Sequence, residues 1–281
     1  MLLDDIDLKS SSKIIMMGQP TAVIEKVNEI PEDIGEVLDD FDIETAVVPL
    51  QEREEFLLKI ERRVKEYKIT ELNPPRKGKK LLVLDIDYTL YDHRSSADSI
   101  HILMRPHLVE FLTNVYYFYD IVIWSATSMK WIEAKMKEMG LINHEDFKFA
   151  FYLDCSAMIS VHTESTGLED VKPLAVIWGK YPGFYSKENT IMLDDIRRNF
   201  LMNPENGLRI RPYKQAHSNH ASDRELLGLA EYLKALAQRE DDFSALRHSK
   251  WERYIENMKN SGDGGSFLNK KHCAKKPKPN Q

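Results

Sequence analysis

The segment Leu81-Leu82-Val83-Leu84-Asp85-Ile86-Asp87-Tyr88-Thr89 limits what this chain can fold into more than any other stretch. Four consecutive aliphatic residues are the pattern of a strand buried on both faces of a parallel α/β sheet, and the run stops at two carboxylates one residue apart. Side chains of an extended strand alternate, so Asp85 and Asp87 project to the same side. Ligands of open parallel sheets collect beyond the carboxyl ends of the strands, where this reading puts both acids. Two like charges this close need a partner. A hard divalent cation held through oxygens supplies one, and Mg²⁺ takes one or two carboxylates together with waters and phosphate oxygens.

The rest of the chain divides by pattern. The 281 residues, 42% hydrophobic, suffice for one large domain with helical extensions. Lys13 to Gly18 reads as a strand with nothing to pair with, so residues 1–20 look like the end of another module. Residues 21–50 are acidic and poor in aromatics, the composition of a linker. Residues 51–75 carry a docking helix, with Phe56, Ile60, Val64 and Tyr67 at helical spacing and Leu57 widening the stripe, closed by Asn73-Pro74-Pro75. Residues 76–258 form the main domain. Residues 259–281 read as a basic disordered tail in which Lys270, Lys271, Lys275, Lys276 and Lys278 are either simply solvated or a nuclear-import or docking patch.

No apolar stretch is long enough to span a membrane, and Met1-Leu2-Leu3-Asp4-Asp5 lacks the order of a signal peptide. Two cysteines, Cys155 and Cys273, cannot form a disulfide framework and point to a reducing compartment. Cys155 reads as a buried small hydrophobe. A formal charge of −6 argues against nucleic-acid binding, and His93, His101, His107 and His162 lack the paired spacing of a zinc site.

Within the main domain, strand, polar loop and helix recur, as in βαβ units. Ile100 to Met104 is predicted as a short strand. A helix follows from Pro106, and Ile121 to Trp124 as a second core strand ends in Ser125-Ala126-Thr127 before the helix Met129 to Met139. Phe147 to Asp154 and Met158 to His162 are predicted to form a hairpin. Thr190 to Leu193 is a third core strand ending in Asp194-Asp195, and Leu208 to Tyr213 a last one. Helices Glu225 to Gln238 and Phe243 to Met258 close the domain. Trp124, Trp131 and Trp178 are predicted in the core or the wall of a cleft.

Three strand ends thus present Asp85/Asp87, Ser125/Thr127 and Asp194/Asp195, with Lys172 just ahead of the third. Together they have the logic of phosphate-monoester hydrolysis, in which an anionic nucleophile must approach an anionic phosphate with help from a metal. Asp85 is the candidate nucleophile, forming an aspartyl-phosphate. Asp87 is the candidate general acid and base. Ser125 would bond a phosphate oxygen at a helix N-terminus, and Lys172 would neutralise the phosphoryl charge. Metal candidates are Asp85, Asp87 through its backbone carbonyl, Asp194 and Asp195, either of the last two contacting the ion while the other holds Lys172. Thr89, Thr127, Arg94 and Lys130 are candidate substrate contacts. Thr89 also reads as fixing the turn beside Asp85, Thr127 as a helix N-cap, and Arg94, Lys130 and Arg197 equally as solvated charges.

Asp85-Ile86-Asp87-Tyr88-Thr89 resembles the DxDx(T/V) motif of the haloacid dehalogenase superfamily, and Ser125, Lys172 and Asp194-Asp195 follow in the order of its later motifs. Leu84 to Leu90, Met104-Arg105-Pro106 and Trp124-Ser125-Ala126-Thr127 are similar to the FCP/SCP-type serine phosphatases that act on the C-terminal repeats of RNA polymerase II. Within these, Met129 to Met136, Lys172-Pro173-Leu174 and Arg198 to Pro204 resemble the branch that carries an N-terminal ubiquitin-like domain. The resemblance covers roughly residues 51–258. It implies a haloacid dehalogenase-like, Rossmann-like central parallel sheet flanked by helices, with a small β insertion, no large cap and N- and C-terminal helical extensions.

The activity implied is that of a Mg²⁺-dependent protein serine/threonine phosphatase. Its implied phosphoprotein substrates are subunits of the 26S proteasome and the RNA polymerase II C-terminal domain, its place the nucleus, and its state a monomer. Met16-Met17-Gly18 resembles the end of the ubiquitin-like domain, so residues 1–20 are expected to be its remnant and proteasome docking to be weakened. Asp195 stands where such phosphatases commonly have Asn, a change expected to tighten Mg²⁺. The alternative is a non-catalytic protein that docks phosphosegments on a large assembly.

Overall fold

Apolar residues repeating one helical turn apart open the ordered architecture, described by a computed structural model for residues 48–164 and 166–260, which belong to one compact unit starting at Val48. Helix α1 (Glu54–Glu66) has two glutamates in its first turn and Arg63 and Lys65 in its last, the arrangement that complements the helix dipole. It buries Phe56 and Ile60, and Leu50, Val64, Tyr67 and Ile69 extend the packed face; Leu57, expected in the stripe, is 43% exposed. Residues 1–20, nearly all of the acidic segment 21–50 and the basic tail from 261 lie outside the described residues.

The chain continues through β1 (Lys80–Leu84), α2 (Ile100–Leu103), α3 (Leu108–Tyr116), β2 (Tyr119–Trp124), α4 (Met129–Glu138) and β3 (Phe149–Leu153). Then come β4 (Ile159–Thr163), β5 (Gly167–Val171), α5 (Ala175–Lys180), β6 (Thr190–Asp194), β7 (Gly207–Arg209), α6 (Ala216–Asn219), α7 (Glu225–Arg239) and α8 (Trp251–Asn260). Five strands make a parallel sheet in the order β3-β2-β1-β6-β7, and β4-β5 make a separate antiparallel hairpin. This is the expected α/β class, with β1 at the centre and a small β insertion.

Alternation along β1 separates two cores. Leu82 and Leu84 pack on one face with residues of α3, α4, α7 and α8, while Leu81 and Val83 pack on the other with α1, α5 and the β4-β5 hairpin. Both faces are therefore dry from Leu81 on, which is why no polar residue stands between Lys80 and Asp85. Two glycines are fixed by close approach. A Cβ at Gly179 would lie 2.7 Å from Val64, where α5 meets α1, and one at Gly207 would lie 2.4 Å from the Phe200 ring.

Several local expectations are corrected. Phe149–Leu153 is the outer strand of the main sheet, paired in parallel with β2; β4 pairs instead with β5. Full burial of β3 on both faces marks a sheet strand, whereas β4 and β5 show the alternating burial of a hairpin on a surface. Ile100–Leu103 is a helical turn and not a strand, because the Ser99 hydroxyl accepts from the His101 N–H at 3.3 Å and starts it. The last predicted helix is broken. Asp242 caps a 3₁₀ turn over Phe243–Ala245, a second turn covers His248–Lys250, and only Trp251–Asn260 is α-helical. Cys155 is exposed, and Trp131 is 64% exposed, while Trp124 is fully buried. Among the described residues no helix is long and apolar enough to cross a membrane.

Candidate active site and cation site

The carboxyl end of β1 is held in the sheet by its own backbone. The Asp85 N–H donates to the Leu193 carbonyl at 3.0 Å, and the chain then closes a tight turn in which the Leu90 and Tyr91 N–H groups both point at the Ile86 carbonyl. Tyr88 sits in that turn at φ 60°, and its carbonyl accepts from the Tyr213 N–H at 2.7 Å. Arg105, buried, donates to the Thr89 carbonyl at 3.2 Å and forms a two-pronged pair with Asp223. The turn that carries both acids is thus fixed from outside.

Lys172 is the hub of the site. Its ammonium donates to Asp85 Oδ1 at 2.6 Å and to Asp194 Oδ2 at 2.7 Å, with no solvent exposure. Burial pulls the Lys172 pKa down, but Asp194 and Asp85 together outweigh it and leave it above its ordinary value. Burial pushes the Asp85 carboxyl up, against the pull of Lys172 and with the help of the Asp194 and Asp87 charges. The second Asp85 oxygen accepts from the buried Thr89 hydroxyl at 3.3 Å.

Asp194 and Asp195, indistinguishable in the sequence, differ in structure. Both Asp194 oxygens are taken: Oδ1 by the Ile196 N–H at 2.8 Å, Oδ2 by Lys172 and by the Asn199 amide at 2.8 Å. Asp195 Oδ1 is buried and has no hydrogen-bond partner, and burial, then the Asp194 charge, raise its pKa. One oxygen from each of Asp85, Asp194 and Asp195 fits within 4.8 Å of the others. An oxygen-only set with an orphaned buried carboxylate fits a hard divalent cation, since such an oxygen is costly without a partner.

The other candidates are placed unevenly. Ser125, buried, exchanges a hydrogen bond with Thr127 through their hydroxyls at 2.9 Å, and the Thr127 N–H donates to Ser125 Oγ at 3.3 Å. Thr127 does not cap α4: Ser128 holds the N-cap position. Asp87 faces Lys135 of α4, which donates to Asp87 Oδ1, and His93 Nδ1 lies 3.5 Å from the same oxygen. Arg94 and Lys130 are exposed; Lys130 lines a groove of about 940 Å³ with Leu141, Phe147 and Tyr152 and joins no hydrogen bond or ion pair to the acids. Lys135 and Asn199 were missed by sequence reasoning. Both lie in segments that carry the family resemblance, Met129 to Met136 and Arg198 to Pro204, but nothing in the residue spacing ties Lys135 to Asp87 or Asn199 to Asp194.

Residues 80–244 match the model of the NLI interacting factor-like phosphatase family. The ubiquitin-like domain-containing CTD phosphatase 1 of Xenopus tropicalis is 61% identical over 250 residues, which is 89% of this chain and 78% of that protein. Its Homo sapiens counterpart is 60% identical over 253 residues, 90% of this chain and 79% of that one. A solved structure of Fcp1, described as an essential RNA polymerase II CTD phosphatase, aligns with a TM-score of 0.40 and 13% identity over 74% of this chain and 69% of that one.

Proposed function

The chain belongs to the NLI interacting factor-like phosphatases, in the branch of the ubiquitin-like domain-containing CTD phosphatases, and is a protein serine/threonine phosphatase; from this premise we propose that it is Mg²⁺-dependent and attacks phosphate through Asp85. The observation that carries the proposal is the buried Asp85–Lys172–Asp194 array beside the unpartnered Asp195 oxygen. Asp85, Asp195 and the Asp87 backbone carbonyl would hold the cation, with Asp194 fixing Lys172 beside it. When bound, the cation offsets the repulsion between the Asp85 carboxylate and the phosphate oxygens.

The protein's own groups supply the rest. Lys172 and Thr89 each hold one oxygen of Asp85, which restricts the carboxylate to one orientation before substrate arrives. Its attack on phosphorus forms an aspartyl-phosphate while Asp87 delivers a proton to the departing seryl oxygen; in the second half Asp87 takes a proton from the water that hydrolyses the acyl-phosphate. Lys172 neutralises charge on the phosphoryl oxygens, and Ser125 with the adjacent backbone N–H groups bonds one of them. Thr127, Arg94 and Lys130 would contact the rest of the substrate. By the resemblance of its motifs, we place the protein in the nucleus with phosphorylated proteasome subunits and RNA polymerase II C-terminal repeats as substrates. Asp85→Asn should reduce turnover of p-nitrophenyl phosphate to background, as should EDTA, with Mg²⁺ restoring the second loss only. Full turnover by Asp85→Asn would refute the assignment.

A further inference from the structure

Beside the acids, along the outer edge of the sheet formed by β7, runs a groove of about 650 Å³. Three guanidinium groups line it, from Arg197, Arg209 and Arg247, over an apolar floor of Phe200, Leu201 and Leu246. Glu205 is the only acid among its lining residues. No carboxylate lies within ion-pair distance of any of the three arginines among the described residues, whereas Arg62, Arg76, Arg105 and Arg198 each hold one and Arg211 holds two. His248, the remaining basic residue of the lining, is buried, and burial lowers its pKa to about 4, so it adds no charge near neutrality.

Two of its arginines connect the groove to the acidic strand end. Arg209 ends β7 in register with Asp194, and its Nε donates to the Asp195 carbonyl at 3.0 Å. Arg197 follows Asp195 by two residues in a 3₁₀ turn over Arg197–Phe200. A chain whose phosphoserine reaches Asp85 can therefore lay a neighbouring side chain against these guanidiniums. Planar forks with no internal carboxylate are suited to phosphate and carboxylate oxygens.

We infer that this groove is a subsite for an anionic side chain, a second phosphate or a carboxylate, next to the phosphorylated residue of the protein substrate. The inference rests on the phosphatase reading above and adds to it a preference for acidic or multiply phosphorylated segments.

The test measures binding of fluorescent phosphoserine peptides to the full chain carrying Asp85→Asn, so that the substrate persists. Three peptides differ only in the flank: a second phosphoserine, a pair of glutamates, or neutral glutamines. The glutamate or second-phosphoserine peptide should bind roughly tenfold tighter than the neutral one, with the advantage shrinking as salt rises. A gain for the phosphoserine flank alone assigns the groove to a second phosphate; an equal gain for both assigns it to any anion. Arg247→Glu should bring the ratio of acidic to neutral affinity to about one, Arg197→Glu should act in the same direction, and Arg247→Lys should keep most of the ratio. Each variant should keep the parent's affinity for the neutral peptide, which a loss of fold would abolish, so only a ratio of one with that affinity intact counts for the subsite. No acidic preference in the parent chain, or an unchanged ratio in Arg247→Glu, would overturn the subsite. Turnover of p-nitrophenyl phosphate by the wild-type chain separates the two readings: turnover without flank discrimination removes the subsite alone, and discrimination without turnover removes the catalytic assignment alone.

Discussion

At the scale of the residue, the site is a problem of buried charge, and each acid solves it differently. Asp85 and Asp194 share Lys172, so removing that cation strands two buried carboxylates. Lys172→Ala should abolish turnover and also cost about 3–5 kcal/mol in urea unfolding, the usual penalty for breaking a buried pair from one side. Asp195 has the reverse character. Its orphaned oxygen sits beside Asp194 without a donor, so its charge opposes folding until a cation arrives. Asp195→Asn should therefore raise the melting temperature in EDTA while increasing the Mg²⁺ concentration needed for half-maximal turnover; a lower melting temperature in EDTA would contradict the idea that this carboxylate waits for an ion. Asp87→Asn should slow phosphoserine turnover far more than that of p-nitrophenyl phosphate, whose leaving group needs no proton. That Asp85, Lys172 and the Asp194-Asp195 pair come together was legible in the sequence, because the residue types follow one another at successive strand ends in a distinctive order; which of Asp194 and Asp195 holds Lys172 was not. Lys135 on Asp87 and Asn199 on Asp194 were not: their contacts depend on how a helix and a turn pack, and local spacing carries no trace of that.

At the scale of the element, burial decided which expectations held. Core strands β1, β2 and β6 each carry a short apolar run buried on both faces, a pattern visible in three or four residues. β3 has that pattern too, but its proximity in sequence to β4 suggested a hairpin; the intervening 3₁₀ turn over Cys155–Ala157, capped by Asp154, turns the chain off the sheet. Short apolar runs such as Ile100–Leu103 have no period long enough to separate helix from strand, and there a single capping serine settles it. The contact between α1 and α5 was legible only as a stripe on α1. Its closeness depends on Gly179, where the stiff β-branched Val64 leaves no room for a methyl. Gly179→Ala should destabilise the protein by about 1–3 kcal/mol through overpacking. Adding Val64→Ala should recover part of that loss, so the double variant would be less destabilised than the two single effects predict, measured as a cycle of urea midpoints.

At the scale of the whole molecule, stability depends on buried titratable groups both inside the site and outside it. The acids at the sheet end and the histidine beneath the last helix act with opposite signs. Asp85 and Asp195 have raised pKa values, so in the cation-free protein folding is favoured at low pH and weakened as they ionise. His248 is buried, its Nδ1 hydrogen-bonded to the Tyr232 hydroxyl at 2.7 Å, and the folded state holds it neutral by lowering its pKa from 6.5 to about 4. Above pH 6.5 neither state is protonated at this position and its full contribution is present. Between 6.5 and about 4 the unfolded chain takes up a proton that the folded chain refuses, so stability falls as pH falls; below that window the loss levels off. At 1.36 kcal/mol per pKa unit, the span from 6.5 to about 4 is worth about 3 kcal/mol. His248→Gln, which cannot ionise, should remove this loss. The difference between wild-type and variant unfolding free energies should therefore change by about 3 kcal/mol between pH 7 and pH 4, in Mg²⁺ and in EDTA alike, because the contribution of the acids is common to both proteins and cancels in the difference. A difference that stays flat across that range would mean that the clasp between α7 and the C-terminal segment is open enough for His248 to meet water.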